Sequence, residues 1–538
     1  MKQARRAAWF MLWTVLLGAL LGGVYGRQVE ATGGSDDSDV KASLSSFTRV
    51  YQVVEANYAD PIDPDTTIYG SPSGIAGAIP GALRTLDPHS NFFDPRAYAL
   101  LWEDLEGKYY GVGMSIGQRF DATSKLVTYV DLPMPGAPAF RAGLRPGDTL
   151  AKINGTPTDG LNLDKVRDKL KGPKGTQVHL TVLREGNADP LEFTITRDEI
   201  SQHSVDEAFM IRPGYAYIHI NKFIENNTNS ELTDALRKFG EGNLQGLVLD
   251  LRGNPGGPPE EAVEVADHFL QKSQLIVYYS GRSSQEKRYY ATRGNNGNDY
   301  PLVVLINHMT ASAAEIVTGA LQDHDRALIL GEPSFGKGLV QSVYQLSEHT
   351  GLTLTTAHYF TPSGRLIQRQ YNNVSFYDYY YHPELTKPDH SEVRLTDGGR
   401  EVFGGGGITP DVEYTAPKLD DVQDLLLDQS AFFDFAIRYL AVHKTIPPDF
   451  DVTGAVLDEF KQFLAKQKIS LSDQDLAANL EYVKNHIRIQ LVRSIFGENE
   501  AQKIEATNDP VILKGLADMP QARELVANAK RYVASKAQ

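Results

Sequence analysis

The sequence predicts a multidomain α/β protein in which a β-rich module and an α/β core lie between helical regions. Three observations support this fold class. A chain of 538 residues is too long for a single hydrophobic core. The apolar runs LQGLVLDLR and LVVLI, typical of strands buried on both faces, alternate with the amphipathic helical segment PEEAVEVADHFLQ. Short alternating segments bounded by Gly and Pro occupy residues 99–197.

The N-terminal segment 1–26 predicts a membrane anchor or a signal segment. Three basic residues precede residues 7–26, which carry no charge and would span about 30 Å as a helix, the thickness of a bilayer's hydrocarbon core. The length favours a retained anchor over a cleaved signal peptide. Both alternatives place most of the chain in the cell envelope, on the extracytoplasmic (periplasmic) side, and the anchor would hold it in the inner membrane.

Changes of pattern along the chain predict the remaining regions. Small polar residues mark a linker, and Phe47, Val50, Tyr51, Val54 and Tyr58 lie on one face of a helix that follows it. The predicted regions are a linker at 27–40, an N-terminal helical region at 41–98, the β-rich module at 99–197, the α/β core at 198–415 and a C-terminal helical region at 416–538.

Two segments fall outside the regular α/β pattern. Residues 371–406 are rich in Tyr and Gly and too long for a simple connection, which predicts a surface insertion. In the C-terminal region, an apolar stripe with spacings of three and four runs from Leu476 to Ile495. Such a stripe is typical of an internal core or of a dimer contact, and the internal core is the favoured interpretation.

Composition excludes several classes of function. The net charge of −15 argues against nucleic acid as a partner, because duplex binding depends on Lys and Arg that neutralise phosphates. The chain has no cysteine, which excludes disulfides, zinc ribbons and a thiol nucleophile. We expect neither a metal nor a cofactor.

The stretch HMTASAAEIVTGAL, residues 308–321, contains a candidate nucleophile, Ser312. The alternative is a structural serine, because Ser312 and Glu315 form the S-x-x-E pattern of a helix capping box and apolar residues follow at helical spacing. A lone serine of this kind usually caps a helix. The assignment therefore depends on the motifs that accompany it.

A serine attacks an amide only when a base removes its proton, and an unprotonated lysine can be that base. Lys337 lies between two glycines in GEPSFGKGLVQ, 25 residues after Ser312, which leaves room for a helix, a strand and a turn back. Burial can lower a lysine pKa by several units from about 10.4. Gln341 is placed to hydrogen-bond the lysine amine, but an extended strand would separate the two positions by about 13 Å. A bend or bulge at Gly338 is therefore expected.

Two glycine-rich turns are candidate anion sites. In LDLRGNPGGPPEEAVE, a buried strand leads into a helix, so the amides of Gly256 and Gly257 would lie near a helix N-terminus. A tight strand-to-helix connection explains that turn equally well. In YYGVGMSIG, Gly111 and Gly113 allow a turn whose N–H groups point at an anion, and the strand from Met114 offers an edge for an added peptide strand.

Together, YYGVGMSIG and RAGLRPGDTLAKINGTPT resemble a PDZ domain of the bacterial-protease type. The resemblance implies that Gly111, Val112 and Gly113 form its carboxylate-binding loop and that Met114 is a further substrate contact. LDLRGNPGG, TASAAEI, FGKGLVQ, TPSGRLIQ and GGITPDV together resemble the motif series of the C-terminal processing peptidases, or tail-specific proteases. LDPHSNFFDP resembles the same family, so the resemblance covers about residues 41–415.

The resemblance implies an α/β core of crotonase/ClpP-like type and a Ser-Lys-Gln site, carried over to Ser312, Lys337 and Gln341. Thr310 stands where the family usually has serine, a departure that leaves the nucleophile in place. The insertion and the C-terminal helices lie outside the family's core pattern, so partners and oligomeric state do not transfer from the resemblance.

The sequence therefore predicts a serine endopeptidase of the cell envelope that recognises the C-terminal tails of protein substrates and cuts near their C-termini. The amides of Gly256 or Gly257 and of Ala313 are the expected oxyanion donors. Expected partners are protein substrates with accessible C-termini and the membrane, with a homo-oligomer or an activating adaptor as further candidates. The alternative is a catalytically idle PDZ scaffold that recruits envelope proteins, against which the intact catalytic residues argue.

Overall fold

The structure is a computed structural model. It describes residues 37–58, 62–70, 77–120, 124–282, 284–346, 349–372, 374–382 and 392–536. The predicted anchor or signal segment at 1–26 lies outside these residues, as does most of the predicted linker at 27–40. Within the described ranges, no helix combines the length and the apolar character that crossing a membrane requires.

The N-terminal region is mainly helical. Its elements are α1 (Asp37–Asn57), α2 (Pro64–Tyr69), α3 (Ala78–Leu83), β1 (Asn91–Phe93) and α4 (Pro95–Glu106). Helix α1 begins inside the predicted linker, at Asp37. The Asp94 side chain accepts the Ala97 N–H at 2.7 Å and Pro95 occupies the first turn, so α4 begins before residue 99.

The β-rich module is an antiparallel sheet with two short helices. Its elements are β2 (Lys108–Gly111), β3 (Met114–Phe120), β4 (Leu126–Pro133), α5 (Pro138–Ala142), β5 (Thr149–Ile153), β6 (Thr156–Pro157), α6 (Leu163–Leu170), β7 (Gln177–Leu183), β8 (Leu191–Thr196) and β9 (Asp198–Ser201). The sheet has the order β3-β4-β5-β7-β8, with β6 on β5, and β2 pairs with β9. Strand β3 therefore forms one edge of this sheet.

The α/β core is built on a mostly parallel sheet of order β10-β11-β12-β15-β16-β21, in which only β10 runs antiparallel to its neighbour. A second, antiparallel sheet joins β1, β18, β13 and β14, with β17 on β18. The core elements are β10 (Val205–Arg212), β11 (Tyr215–Ile220), α7 (Thr228–Phe239), β12 (Gly246–Asp250), α8 (Pro259–Asp267), β13 (Leu275–Gly281), β14 (Ser284–Tyr290), β15 (Leu302–Ile306), α9 (Ala313–Asp323), β16 (Leu328–Gly331), β17 (Leu339–Gln345), β18 (Gly351–Phe360), α10 (Phe376–Tyr381), β19 (Val393–Leu395), β20 (Glu401–Phe403) and β21 (Val412–Glu413).

Both faces of the parallel sheet are buried, as its apolar runs predict. On one face, Leu247 and Leu249 pack with residues of α7, α8 and α9. On the other face, Val248 and Val303 pack with residues of the C-terminal helices, including Leu516. Alternate residues of one strand thus serve two hydrophobic layers.

The C-terminal region divides between two hydrophobic clusters. Its helices are α11 (Asp421–Asp428), α12 (Ala431–His443), α13 (Gly454–Lys466), α14 (Asp473–Ala478), α15 (Leu480–Phe496), α16 (Glu498–Asn508), α17 (Pro510–Ala517) and α18 (Met519–Lys536). The apolar stripe of α14 and α15, including Leu476, Val483 and Ile487, belongs to an internal core shared with α12 and α13. Residues of α17 and α18 instead cover the parallel sheet.

The Tyr-rich insertion differs from its prediction. Residues 371–406 are not confined to the surface, because Tyr379 and Tyr380 of α10 are buried beside Phe335. The aromatic side chains that suggested an irregular surface segment are instead packed against the core, where their rings leave water.

Candidate active site

Three loops follow the carboxyl ends of β12, β15 and β16 and meet at one edge of the parallel sheet. Hydrogen bonds join them: the Ala311 N–H donates to the Asn254 carbonyl at 2.9 Å, and the Phe335 N–H donates to the Thr310 carbonyl at 2.9 Å. The motifs LDLRGNPGG, TASAAEI and FGKGLVQ therefore come together in space. Ligand and active sites of α/β folds occupy this edge of the sheet.

Ser312 lies at the turn from β15 into α9, with φ 62° and ψ −118°. A non-glycine residue rarely adopts this backbone conformation, and such strain is concentrated at functional sites. The side chain is fully buried, and its Oγ has no hydrogen-bond partner among the described residues. Ser312 is the N-cap residue of α9, and the Glu315 carboxylate accepts its N–H as in a capping box, so the structural alternative accounts for this contact but not for the unpartnered hydroxyl.

Glu315 holds the serine turn and the lysine loop together. One carboxylate oxygen, Oε2, accepts the Ser312 N–H at 2.7 Å and the Lys337 N–H at 2.9 Å. The other, Oε1, accepts the Gly336 N–H at 2.7 Å and the Ser334 hydroxyl at 2.5 Å. Burial raises the pKa of Glu315, and these four donors oppose that rise by stabilising its anion.

Lys337 is buried in the loop that precedes β17. Burial lowers its pKa to about 7, although the negative charges of Asp87 and Glu315 act in the opposite direction. A lysine with this pKa is largely neutral in mildly alkaline solution and then has a lone pair to accept a proton. Strongly shifted pKa values of this kind are concentrated at catalytic sites.

Gln341 contacts the lysine amine directly. The Lys337 Nζ donates to Gln341 Oε1 at 3.1 Å, and Gln341 is fully buried. Strand β17 begins only at Leu339, and its pairing with β18 shifts between Val340 and Gln341. The expected departure from an extended strand is therefore present: β17 starts only after Gly338, and a bulge follows. The long side chain of Lys337 spans the remaining distance to Gln341.

The turn after β12 lies against the serine. A Cβ on Gly256 would come within 2.9 Å of Ser312 Oγ, and a Cβ on Gly257 within 2.2 Å of the Phe223 carbonyl oxygen. Both positions therefore require glycine. Of the two predicted oxyanion donors, Gly256 has its N–H engaged within the turn, where it donates to Asn254 Oδ1 at 2.8 Å. Ala313, the first residue of α9, presents its N–H at the helix N-terminus.

The glycine-rich turn of the β-rich module connects β2 to the edge strand β3. Gly111 ends β2, Val112 is buried, and Met114 begins β3. Gly113 has φ 71°, and a Cβ there would come within 2.4 Å of the Ala137 Cβ, so this position also requires glycine. The structure places these four residues in the β-rich module, separate from the loops that meet at Ser312.

Three buried polar residues near the site were not predicted. In the sequence, Glu315 has the signature only of half a capping box. Asp87 and His89 lie in the segment LDPHSNFFDP, whose polar residues between two Pro-containing turns were the only signal. Burial lowers the pKa of His89 well below its usual value, and the positive charge of Lys337 lowers it further.

Family models match three parts of the chain. The model for "Peptidase family S41" matches residues 214–374, a PDZ domain model matches 129–184, and the model for "Probable PDZ-protease, C-terminal helical domain" matches 422–474. The fold and these matches define a serine peptidase with a PDZ domain and a C-terminal helical domain.

The chain is also similar to named proteins. It is 36% identical to the carboxy-terminal-processing protease of Bartonella bacilliformis over 62% of this chain and 74% of that protein. It is 39% identical to the carboxyl-terminal-processing protease of Synechocystis sp. over 54% of this chain and 68% of that protein. The chain also matches a solved structure, the photosystem II D1 C-terminal processing protease. The match covers 75% of this chain and 93% of the protease chain, with 26% sequence identity and a TM-score of 0.36. The chain belongs to the carboxy-terminal processing proteases of peptidase family S41.

Proposed function

We propose that the protein is a cell-envelope endopeptidase that uses Ser312 and Lys337 to cut protein substrates near their C-termini. The observation that carries the proposal is a strained serine whose buried hydroxyl has no partner among the described residues, and which the carboxylate of Glu315 connects to the backbone of a buried lysine. A serine that caps a helix needs neither the strain nor a neighbouring base.

In the proposed reaction, neutral Lys337 accepts the hydroxyl proton as Ser312 Oγ attacks the scissile carbonyl carbon. The tetrahedral intermediate collapses, the C–N bond breaks, and Lys337 returns the proton to the departing amine. Water then attacks the acyl-enzyme with Lys337 again as base, which releases the new C-terminus and restores Ser312. Gln341 keeps the amine in position through its 3.1 Å contact.

The amides of Gly257 and Ala313 are the proposed oxyanion donors. Ala313 is the first residue of α9 and Gly257 lies two residues before α8, so both are close to a helix N-terminus, where the N–H groups and the helix dipole favour negative charge. Gly256 contributes by its small size, because any side chain there would meet Ser312.

Substrate tails are proposed to bind at Gly111, Val112, Gly113 and Met114. The turn would hold the terminal carboxylate through backbone N–H groups, while the edge strand β3 pairs with the residues before it. The PDZ family model matches residues 129–184, which begin after this turn and β3 but belong to the same module, and peptide capture at a strand edge is how such domains bind.

The location and assembly of the protein are proposed from its sequence. Residues 7–26 would anchor the chain in the inner membrane with the catalytic region outside the cytoplasm. The parallel sheet and its helices support a core of the crotonase/ClpP-like type. A second copy of the chain or an activating adaptor is a candidate partner.

The test is mass spectrometry of a reporter protein with an unstructured apolar C-terminal tail, incubated with the full chain in detergent. We expect tail-dependent cleavage that disappears in Ser312→Ala and Lys337→Ala. Ser472→Ala is the matched control, because the Ser472 hydroxyl does cap a helix by accepting the Asp475 N–H at 3.0 Å. That variant should lose about 1 kcal/mol of stability and keep its cleavage activity. Tail binding without cleavage by the wild type would favour the idle scaffold instead.

A further inference from the structure

Helix α10, residues Phe376–Tyr381, places two tyrosines against the catalytic loop. Tyr379 is 1% exposed and Tyr380 is 5% exposed, whereas Tyr377 on the same helix is 55% exposed. The two buried rings pack with Phe335 of the lysine loop and with Ala311, the residue before the proposed nucleophile. One short helix of the insertion thus contacts both halves of the proposed catalytic pair.

Hydrogen bonds connect Tyr379 to both sides of Lys337. On one side, the Gly338 N–H donates to Gln368 Oε1 at 2.8 Å, and the Gln368 amide donates to the Tyr379 hydroxyl oxygen at 3.2 Å. On the other side, the Arg369 N–H donates to the Gly336 carbonyl at 2.8 Å, and the Arg369 guanidinium donates to the Tyr379 carbonyl at 2.7 Å. The two residues that flank Lys337 are therefore both held from α10.

The same hydroxyl reaches the N-terminal segment through His89. The Tyr379 hydroxyl lies 3.2 Å from His89 Nε2, and the Tyr380 hydroxyl lies 3.0 Å from His89 Nδ1. The Tyr380 hydroxyl donates to the Pro88 carbonyl at 3.1 Å. One assignment of donors and acceptors satisfies all of these hydrogen bonds: the Gln368 amide donates to the Tyr379 hydroxyl, which donates to His89 Nε2, and the His89 Nδ1–H donates to the Tyr380 hydroxyl.

This assignment of donors and acceptors requires His89 to be neutral. Burial, together with the positive charges of Lys337 and Arg369, lowers the pKa of His89 well below its usual value, which agrees with that requirement. The charged groups that act on Lys337 are Asp87 and Glu315, which raise its pKa, whereas the positive charge of Arg369 acts on His89.

We propose that Tyr379 is a positioning residue whose hydroxyl, through Gln368 and Gly338, holds the Lys337 loop in its catalytic arrangement. The inference rests on the proposed role of Lys337 as the base. It gives the Tyr-rich insertion a function at the active site, for which the S41 motifs alone provide no reason. A purely structural tyrosine would contribute its ring to packing, and its hydroxyl would not affect the ionisation of Lys337.

The test compares Tyr379→Phe with Tyr377→Phe, the same change at the exposed position of the same helix. In Tyr379→Phe, the Gln368 amide keeps the Arg369 carbonyl at 2.8 Å as an acceptor but loses the Tyr379 hydroxyl, and the lysine loop admits water, so the pKa of Lys337 rises toward its usual value. With the full chain and the tailed reporter, we expect kcat about tenfold lower, KM unchanged, and the acidic limb of the kcat/KM profile about one pH unit higher. Tyr377→Phe should match the wild type in all three.

A second variant tests whether the effect of Tyr379→Phe comes from the lost hydrogen bond or from a loss of folding. Gln368→Leu cuts the same connection at its other end and should move the acidic limb in the same direction. Because both changes break one chain of contacts, the double variant should be no worse than Gln368→Leu alone. Additive effects, an unshifted or lowered limb in Tyr379→Phe, or an equal effect of Tyr377→Phe would each overturn the positioning role.

Parallel measurements on Ser312→Ala separate this inference from the proposed function. If Ser312→Ala is inactive and Tyr379→Phe behaves as the wild type, only the positioning role is wrong. If Ser312→Ala still cuts the tail, the proposed catalytic pair is wrong, and the role of Tyr379 is wrong with it.

Discussion

The chain has two glycine-rich turns that follow a strand, and they differ in what comes after them. The turn at Gly256 and Gly257 runs into helix α8 and lies against the buried Ser312. The turn at Gly111 and Gly113 runs into β3, an edge strand of the β-rich module. In the proposed function, the first turn stabilises the oxyanion through the Gly257 N–H, and the second binds the terminal carboxylate of the substrate tail.

The element after each turn determines which charge it can serve. A turn that ends in a helix holds its N–H groups at one fixed point, which suits the oxyanion that develops beside Ser312. A turn that ends in an edge strand provides N–H groups for a permanent carboxylate and a row of backbone partners for the chain attached to it. We therefore expect damage to the first turn to lower kcat and damage to the second to raise KM.

The largest expected effect follows from Gly257→Ala. A Cβ at this position would come within 2.2 Å of the Phe223 carbonyl oxygen, so the turn must move and its N–H must leave the proposed oxyanion position. We expect kcat to fall about 1,000-fold with little change in KM, the size typical of losing one oxyanion donor. Steady-state kinetics with the tailed reporter measure both constants.

Gly242→Ala is the control for Gly257→Ala. Gly242 has no heavy atom within 4 Å of the added Cβ, so this variant should keep the wild-type kcat. Equal activity of Gly257→Ala and the wild type would remove Gly257 from the oxyanion role.

The second prediction concerns the pH dependence of cleavage at Ser312, the site that the first turn contacts. The pKa of Lys337 is lowered to about 7, and protonation below that value removes the base, so kcat/KM should fall about tenfold per pH unit. We expect activity at pH 5 to be about 100-fold below the alkaline plateau. A flat profile from pH 5 to 9, with chemistry limiting the rate, would contradict the assignment of Lys337 as base.

Tail binding should not follow the same profile. A terminal carboxylate has an ordinary pKa of about 3.5 and stays ionised throughout this range. Fluorescence anisotropy of a labelled tail on Ser312→Ala should therefore give a Kd that changes less than about twofold between pH 5 and 9. A parallel loss of binding would mean that the two turns share a titrating group.

The sequence predicts local features of the fold better than the partners of each surface. The run LVVLI implies a strand covered on both faces, and β15 is so covered, but nothing in that run identifies α17 and α18 as the second cover. Hydrophobic periodicity indicates which face of a helix or strand is buried, but it does not indicate which distant segment packs against that face. Packing contacts between α17 and β15 join positions more than 200 residues apart.

The candidate site shows the same division. Ser312 and Lys337 can be singled out because their neighbours have unusual patterns, an S-x-x-E helix start and a lysine between glycines. Glu315 looks like a capping residue in the sequence, yet its carboxylate accepts four hydrogen bonds from two loops. Tyr379 looks like part of a surface insertion, because a tyrosine-rich segment with flanking prolines has no periodic face that indicates burial.

The smallest expected effect tests the second turn through the substrate rather than the enzyme. Converting the C-terminal carboxylate of the reporter tail to an amide removes the charge that the turn at Gly113 would hold and leaves the cleavage site unchanged. We expect KM to rise about tenfold, equivalent to about 1.4 kcal/mol, while kcat stays the same. A short peptide without the tail provides the control, because amidation should not affect its cleavage. A fall in kcat instead of a rise in KM would show that the tail carboxylate acts at Ser312 itself, which would end the distinction between the two turns.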